Sequence, residues 1–506
     1  MVEGGGSLNV TAGGEHARSL KHELESQVPA LAASLDGLTF TYIAPVTVPQ
    51  PAGSYVTVET PAGPRLGQIR QAVVEHADGP EVGTEIGGYE NVRMRISFDR
   101  LTGGGTMLEP SPPFHDAGFV PASADTIARW QESSRGRGAM LRLGEAAMAP
   151  GVLAELNAAG FGRHSFLCGQ SGSGKSYAMG VILEQLLLET DIPIVVLDPN
   201  SDATRLRELN DGADPALAER WRDIAPRIHV RGLGREGDER LRLRFFELDT
   251  ALQQAVVGLN PLRDREEYDA LRRVLDAEAA GHSMEEITAM LAAESDDPQL
   301  RALALRIRNL GVLEWAVWAR DFGDSGLLGE LDRDDWRCLV VDLGSIAIPA
   351  ERSMVAAAVL SKLWARRAQR RPVLLVIDEA HNVCPPDPAD ELTAYATDLA
   401  VRIAGEGRKF GIYLLVASQR PLKVHENVLS QCDNLFLMRM NSAGDLARLG
   451  ELFSFVPPGL LARATSFGLG ESLVAGRVAS HPMFARTGGR VASEGGSDVP
   501  ADWAGR

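Results

Sequence analysis

Eight consecutive residues, Gly169, Gln170, Ser171, Gly172, Ser173, Gly174, Lys175 and Ser176, match the pattern G-x-x-x-x-G-K-[ST] in full. An apolar strand-like run precedes them and an amphipathic segment, 177–189, follows, which is the context this pattern requires. Glycines let the backbone curl so that its N–H groups converge on phosphate oxygens, and a helix N-terminus adds a partial positive charge. Lys175 is placed to reach the β- and γ-phosphates of ATP, Ser176 to ligate Mg²⁺, and Tyr177 to border the nucleotide.

A second run, 373–377, is five apolar residues long and ends in Asp378 and Glu379. A buried strand that delivers carboxylates at its C-terminal end places them where open α/β sheets bind ligands. Asp378 is expected to hold Mg²⁺, directly or through water, and Glu379 to take a proton from the attacking water. A third apolar run, 413–417, ends in Ser418 and Gln419, and Gln419 is the candidate sensor of the γ-phosphate. Arg408, within Gly405-Glu-Gly-Arg-Lys-Phe-Gly411, could reach into a neighbour's site as an arginine finger. The same residues also read as a plain helix C-terminus, where cations favour the dipole and glycine follows.

These side chains need a scaffold, and the pattern of apolar residues supplies one. Runs at 164–169, 192–198, 337–343, 373–379, 411–418 and 434–440 alternate with helical segments, which predicts a mostly parallel sheet covered on both faces. The fold class is therefore α/β, with a RecA-like P-loop core in two parts, 126–203 and 331–483, around an all-helical insertion at 204–330. Within that insertion Ser283-Met-Glu-Glu286 is a capping box, and Asp297-Pro298 opens a helix with Leu300, Leu303, Ile307 and Leu310 on one face. Upstream the period changes to two. Segments 40–43, 55–59, 68–74 and 92–98 read as short strands punctuated by Gly and Pro, as in a small β-barrel over 38–125. An N-terminal extension, 1–37, holds a short helix through Leu20, Leu24, Val28 and Leu31. Residues 484–506, rich in Gly and Ser, read as an extended tail.

Composition narrows the class further. Four scattered cysteines, Cys168, Cys338, Cys384 and Cys432, form no zinc motif and read as buried hydrophobes in a reducing, cytoplasmic compartment. No run is long and apolar enough for a membrane span. The net charge of −17 argues against coating nucleic acid over the whole surface but leaves room for a local basic channel. The Arg366-Arg-Ala-Gln-Arg-Arg371 run reads as a solvated helix end.

Together the short N-terminal barrel, Gly-Gln-Ser-Gly-Ser-Gly-Lys-Ser, the helical insertion, Val-Ile-Asp-Glu-Ala-His, Glu-Gly-Arg-Lys-Phe-Gly and Ala-Ser-Gln-Arg-Pro resemble bacterial HerA-type ATPases of the HerA/FtsK clan. The tail from Glu494 also looks like theirs. The resemblance implies a hexameric ring with ATP sites between subunits, duplex DNA in the pore, and a nuclease or NAD-consuming effector as partner. Lys175 and Ser176 match the family's phosphate-binding pair, Asp378 and Glu379 its acids, Gln419 its sensor and Arg408 its finger. Arg163 resembles a second family arginine. Asp198 and Asp202 stand where many relatives have an acidic Gly-Glu turn, which leaves their part in catalysis open. Asp378-Glu-Ala-His381 also spells the box of another helicase superfamily, but that superfamily's Gln-x-x-Gly-Arg element is absent, so His381 reads as incidental. Two other functions fit the motifs: a conjugation- or secretion-type ATPase of the same clan, and a nucleotide-gated ring scaffold for an effector.

Overall fold

The computed structural model describes residues 11–86, 89–136, 138–236, 239–279, 296–319 and 326–496. Its N-terminal strands are β1 (Leu31–Ser34), β2 (Thr39–Pro45), β3 (Tyr55–Thr60), β4 (Gly63–Ile86), β5 (Tyr89–Met107) and β6 (Phe114–Pro121). They pair in a closed ring, β1-β2-β5-β4-β3-β6, so no strand among them leaves a free edge. The alternation at 39–45 explains the closure, because Phe40, Tyr42 and Ala44 point inwards while their neighbours face solvent. Helix α1 (Thr11–Gln27) lies against β5 through Lys21, whose ammonium sits 2.8 Å from Asp99.

A second sheet carries the remaining strands. They are β7 (Met140–Ala146), β8 (Leu153–Asn157), β9 (His164–Cys168), β10 (Ile194–Asp198), β11 (Ile228–Arg231), β12 (Cys338–Asp342), β13 (Val373–Ile377), β14 (Ile412–Ser418), β15 (Cys432–Met438), β16 (Glu471–Gly476) and β17 (Met483–Thr487). Their order is β11-β12-β10-β13-β14-β9-β15-β16-β17-β7-β8, parallel from β11 to β15 and antiparallel beyond. The central parallel strands β10, β12 and β13 are buried and apolar up to the carboxylates at or just past their ends, because both faces are covered. In β13, Val373, Leu375 and Ile377 enter one core, whereas Leu374 and Val376 enter the other. Helix α3 (Lys175–Glu189) covers the second face, and helices Pro349–Ala365 and Glu391–Glu406 cover the first.

The two sheets meet over helix α2 (Ala124–Ser134). Tyr55 Oη is 2.7 Å from His481 Nε2, Trp130 stands edge-on to that ring, and Gln68 Nε2 donates to the Pro482 carbonyl at 3.1 Å. Burial pushes His481 down to about 3, so it packs here as a neutral ring.

Several expectations shift. Leu31 opens a strand of the ring instead of ending the first helix, and Val28 lies outside that helix too. The 204–330 segment is not all helical: Ile228–Arg231 adds β11 to the edge of the sheet, beside β12. Four residues are too few for periodicity to reveal a strand among helices. The described part of the extended tail, up to residue 496, packs on the fold, since β17 joins the sheet and Val491 and Ala492 are buried. The capping box at 283–286 lies outside the described residues. All four cysteines are buried thiols without disulfides. Among the described residues no helix is long and apolar enough to cross a membrane.

Candidate nucleotide site

Three adjacent strands, β13, β14 and β9, end together at the carboxyl edge of the sheet. β9 runs into the glycine turn, β13 delivers Asp378 and Glu379, and β14, between them, ends beside Gln419. The turn depends on backbone conformations that side chains resist: Gly172 has φ 69° and Gly174, the N-cap of α3, has φ 92°. It is braced from behind. Gln170 N–H donates to the Arg439 carbonyl at 2.9 Å, and Gly470 N–H donates to the Ser173 carbonyl at 3.0 Å. The Arg439 guanidinium donates to the Gly172 carbonyl at 3.2 Å. First-turn N–H groups of a helix have no intrahelical acceptor, so Lys175 and Ser176 open α3 as a ready phosphate cradle.

The structure brings the two motifs together. Lys175 Nζ lies 2.5 Å from Asp378 Oδ1 and 3.0 Å from Glu379 Oε1, with all three side chains 7% exposed or less. Burial works against the Lys175 ammonium, but the two carboxylates outweigh it and raise its pKa. Burial raises Asp378 although Lys175 opposes it. Burial also acts upward on Glu379, yet hydrogen bonds from His381, Lys175 and Gln419 hold it at about 2. Gln419 Nε2 donates to Glu379 Oε1 at 2.9 Å. Asp378 Oδ2 is buried with no hydrogen-bond partner among the described residues. A buried carboxylate oxygen left without a partner, next to the lysine that opens α3, suits a hard divalent cation.

One reading needs correction. His381 is not incidental: its Nδ1 sits 3.2 Å from Glu379 Oε2 and 3.2 Å from Ser418 Oγ. Sequence could not reveal this, because residue 381 comes back to the acid only through the 3₁₀ turn Ala380–Asn382. The Tyr177 hydroxyl accepts the Arg490 N–H at 3.2 Å.

The aspartates after β10 separate by role. Asp198 is buried and accepts N–H groups from Asn200, Asp202 and Ala203 at 3.3, 3.1 and 2.8 Å, so it shapes its loop. Burial, helped by Asp378, raises it to about 7 against those bonds. The Asp202 carbonyl accepts Gly495 N–H at 2.9 Å and ties that loop to the C-terminal segment. The basic run 366–371 meets protein partners, with Arg367 over the Trp364 ring and Arg371 2.8 Å from Asp334.

Arg163 and Arg408 do not join this site. Arg163 precedes β9 and Arg408 precedes β14, at the amino edge of the sheet. The six residue steps from Arg163 to Gly169 span about 20 Å of strand. Both arginines instead approach Asp433 Oδ2, at 3.1 and 3.7 Å.

Residues 141–308 match the family model described as "Helicase HerA, central domain". The DNA double-strand break repair helicase HerA of Pyrococcus furiosus is 22% identical over 451 residues, 81% of this chain and 80% of that protein. Its namesake from Saccharolobus solfataricus is 24% identical over 388 residues, 72% and 73% of the two chains. Among solved structures, VirB4 of Thermoanaerobacter pseudethanolicus aligns with a TM-score of 0.47 at 18% identity, over 70% of this chain and 97% of that one.

Proposed function

We propose that this chain is a HerA-type P-loop ATPase that works as a hexameric ring and hydrolyses ATP to move duplex DNA. The supporting observation is the convergence of Lys175, Asp378 and Glu379 within 3.0 Å around one glycine cradle. The curated relatives are named for DNA double-strand break repair, which makes duplex DNA the first substrate to test. Coupling to a nuclease or other effector, in end processing or phage defence, belongs to the same reading. So does a division into a HAS-type barrel, a RecA-like core and an insertion.

Each residue then has a task. The cradle from Gly169 to Tyr177 binds the triphosphate, with Lys175 turning from the acid pair to the β/γ oxygens. Ser176 and Asp378 would hold Mg²⁺, which when bound would offset phosphate charge. Once Lys175 has turned away, Glu379 keeps Gln419 and His381 as partners and accepts the proton of the attacking water. Losing a cation also lets its pKa climb, which makes it a better base than it is when held at about 2. Arg408, with Arg163, serves the site of the adjacent subunit.

The net charge of −17 favours a second reading, a nucleotide-gated scaffold that holds an effector without engaging DNA. ATP turnover by the parent chain and by Glu379→Gln, with and without linear duplex, alongside particle mass, separates the two. The motor reading expects a ring mass, turnover stimulated by duplex, and a Glu379→Gln protein that binds ATP with turnover down at least about 100-fold. A ring that turns over ATP at the same rate with and without DNA leaves the scaffold.

A further inference from the structure

Resting on the ring reading above, we propose that Asp433 is a positioning residue that holds Arg163 and Arg408 together as one two-cation unit for the adjacent subunit's nucleotide. The two arginines come from different places in the chain. Arg163 closes the 3₁₀ turn Ala158–Gly162 before β9, and Arg408 lies in the 3₁₀ turn Gly407–Phe410 before β14. Neighbouring strands bring them to one edge, and β15, on the other side of β9, sets Asp433 beside them. Both Nη1 atoms approach the same oxygen, Asp433 Oδ2, at 3.1 and 3.7 Å. Asp433 is the one acidic partner of each among the described residues.

Two guanidiniums this close repel each other unless an anion lies between them, and one carboxylate supplies it while leaving a net positive charge. Each guanidinium has five N–H donors in a fixed fork, so an ion-pair contact through Nη1 leaves several free for phosphate oxygens. The three side chains are 41–49% exposed, as a unit facing a partner must be. Exposed pairs of this kind contribute little to folding. An effect on turnover would therefore report on aim rather than on stability. The same strands that end in the chain's own phosphate site begin with this unit, so the sheet fixes the spacing between them.

The test compares Asp433→Asn and Asp433→Glu with the parent ring. For Asp433→Asn we expect kcat to fall about tenfold to 100-fold, the loss that follows a small misplacement of a transition-state cation. The Kd for a non-hydrolysable ATP analogue and the melting temperature should stay at parental values, and Asp433→Glu should recover most of the rate. Mixing Asp433→Asn subunits with Glu379→Gln subunits should give more turnover than either protein alone, because an intact Asp433 can then serve a neighbour's intact Glu379. Parental kcat in Asp433→Asn overturns the proposal, as does a loss matched by weaker ATP binding or by a mixture no faster than its parts. The ring reading fails separately, if Arg408→Ala itself turns over ATP at the parental rate.

Discussion

Glu379 sits in a left-handed backbone conformation, φ 44° and ψ 48°, which a residue with a side chain adopts only under constraint. Such a conformation costs on the order of 1–3 kcal/mol and persists where the surroundings over-determine it. Here the surroundings are Lys175, Gln419 and His381, all on its carboxylate. Strain and a triple clamp on one buried acid point to a group held ready for a single geometry. Asp198, one strand away, shows the opposite behaviour. Its folded pKa of about 7 lies above the usual 3.8 because burial dominates. Between those values the folded chain keeps a proton that the unfolded chain has lost, so stability falls as pH rises through that window and levels off above it. Asp198→Asn cannot ionise. Chemical denaturation in magnesium-free buffer should show it gaining on the parent from pH 5 to pH 7, on the order of 1.4 kcal/mol per pH unit. A difference that does not change with pH would mean that Asp198 is ionised throughout.

At the scale of elements, α3 is held from both sides. Its N-terminus is the phosphate cradle, and its back is clasped by the C-terminal segment. Glu184 accepts Arg490 Nε at 2.8 Å and the Val491 N–H at 2.7 Å, and both charged side chains are 3% exposed or less. Burial raises Glu184 while Arg490 opposes it. Arg490→Ala would leave a buried carboxylate without its cation, a loss of about 3–5 kcal/mol that urea unfolding would register. A change below 1 kcal/mol would contradict the clasp. Composition concealed this contact, because a Gly- and Ser-rich stretch reads as loose chain whatever its few apolar residues touch. The parallel strands were legible for the contrary reason: five unbroken apolar residues ending in carboxylates, as at 373–379, have few other uses. Gly169 to Ser176 was legible because positive φ at Gly172 and Gly174 restricts the residue type. His381 and Asp433 were not, since a local 3₁₀ turn folds His381 back onto Glu379 and neighbouring strands bring Arg163 and Arg408 to Asp433.

At the scale of the whole molecule, cradle and arginine pair occupy opposite edges of one sheet. In the proposed ring, that layout would leave each copy's nucleotide site to be completed by the arginine pair of a neighbour. The charge of −17 confines any DNA contact to a local surface, and phosphate binding there should weaken steeply with salt. Movement along DNA driven by this ATP site can be read from steady-state ATP turnover on linear duplexes of increasing length. A translocating ring predicts a rate that climbs with duplex length and then reaches a plateau, because longer tracks allow more steps per encounter. A rate independent of length, at saturating concentrations of ends, would contradict it.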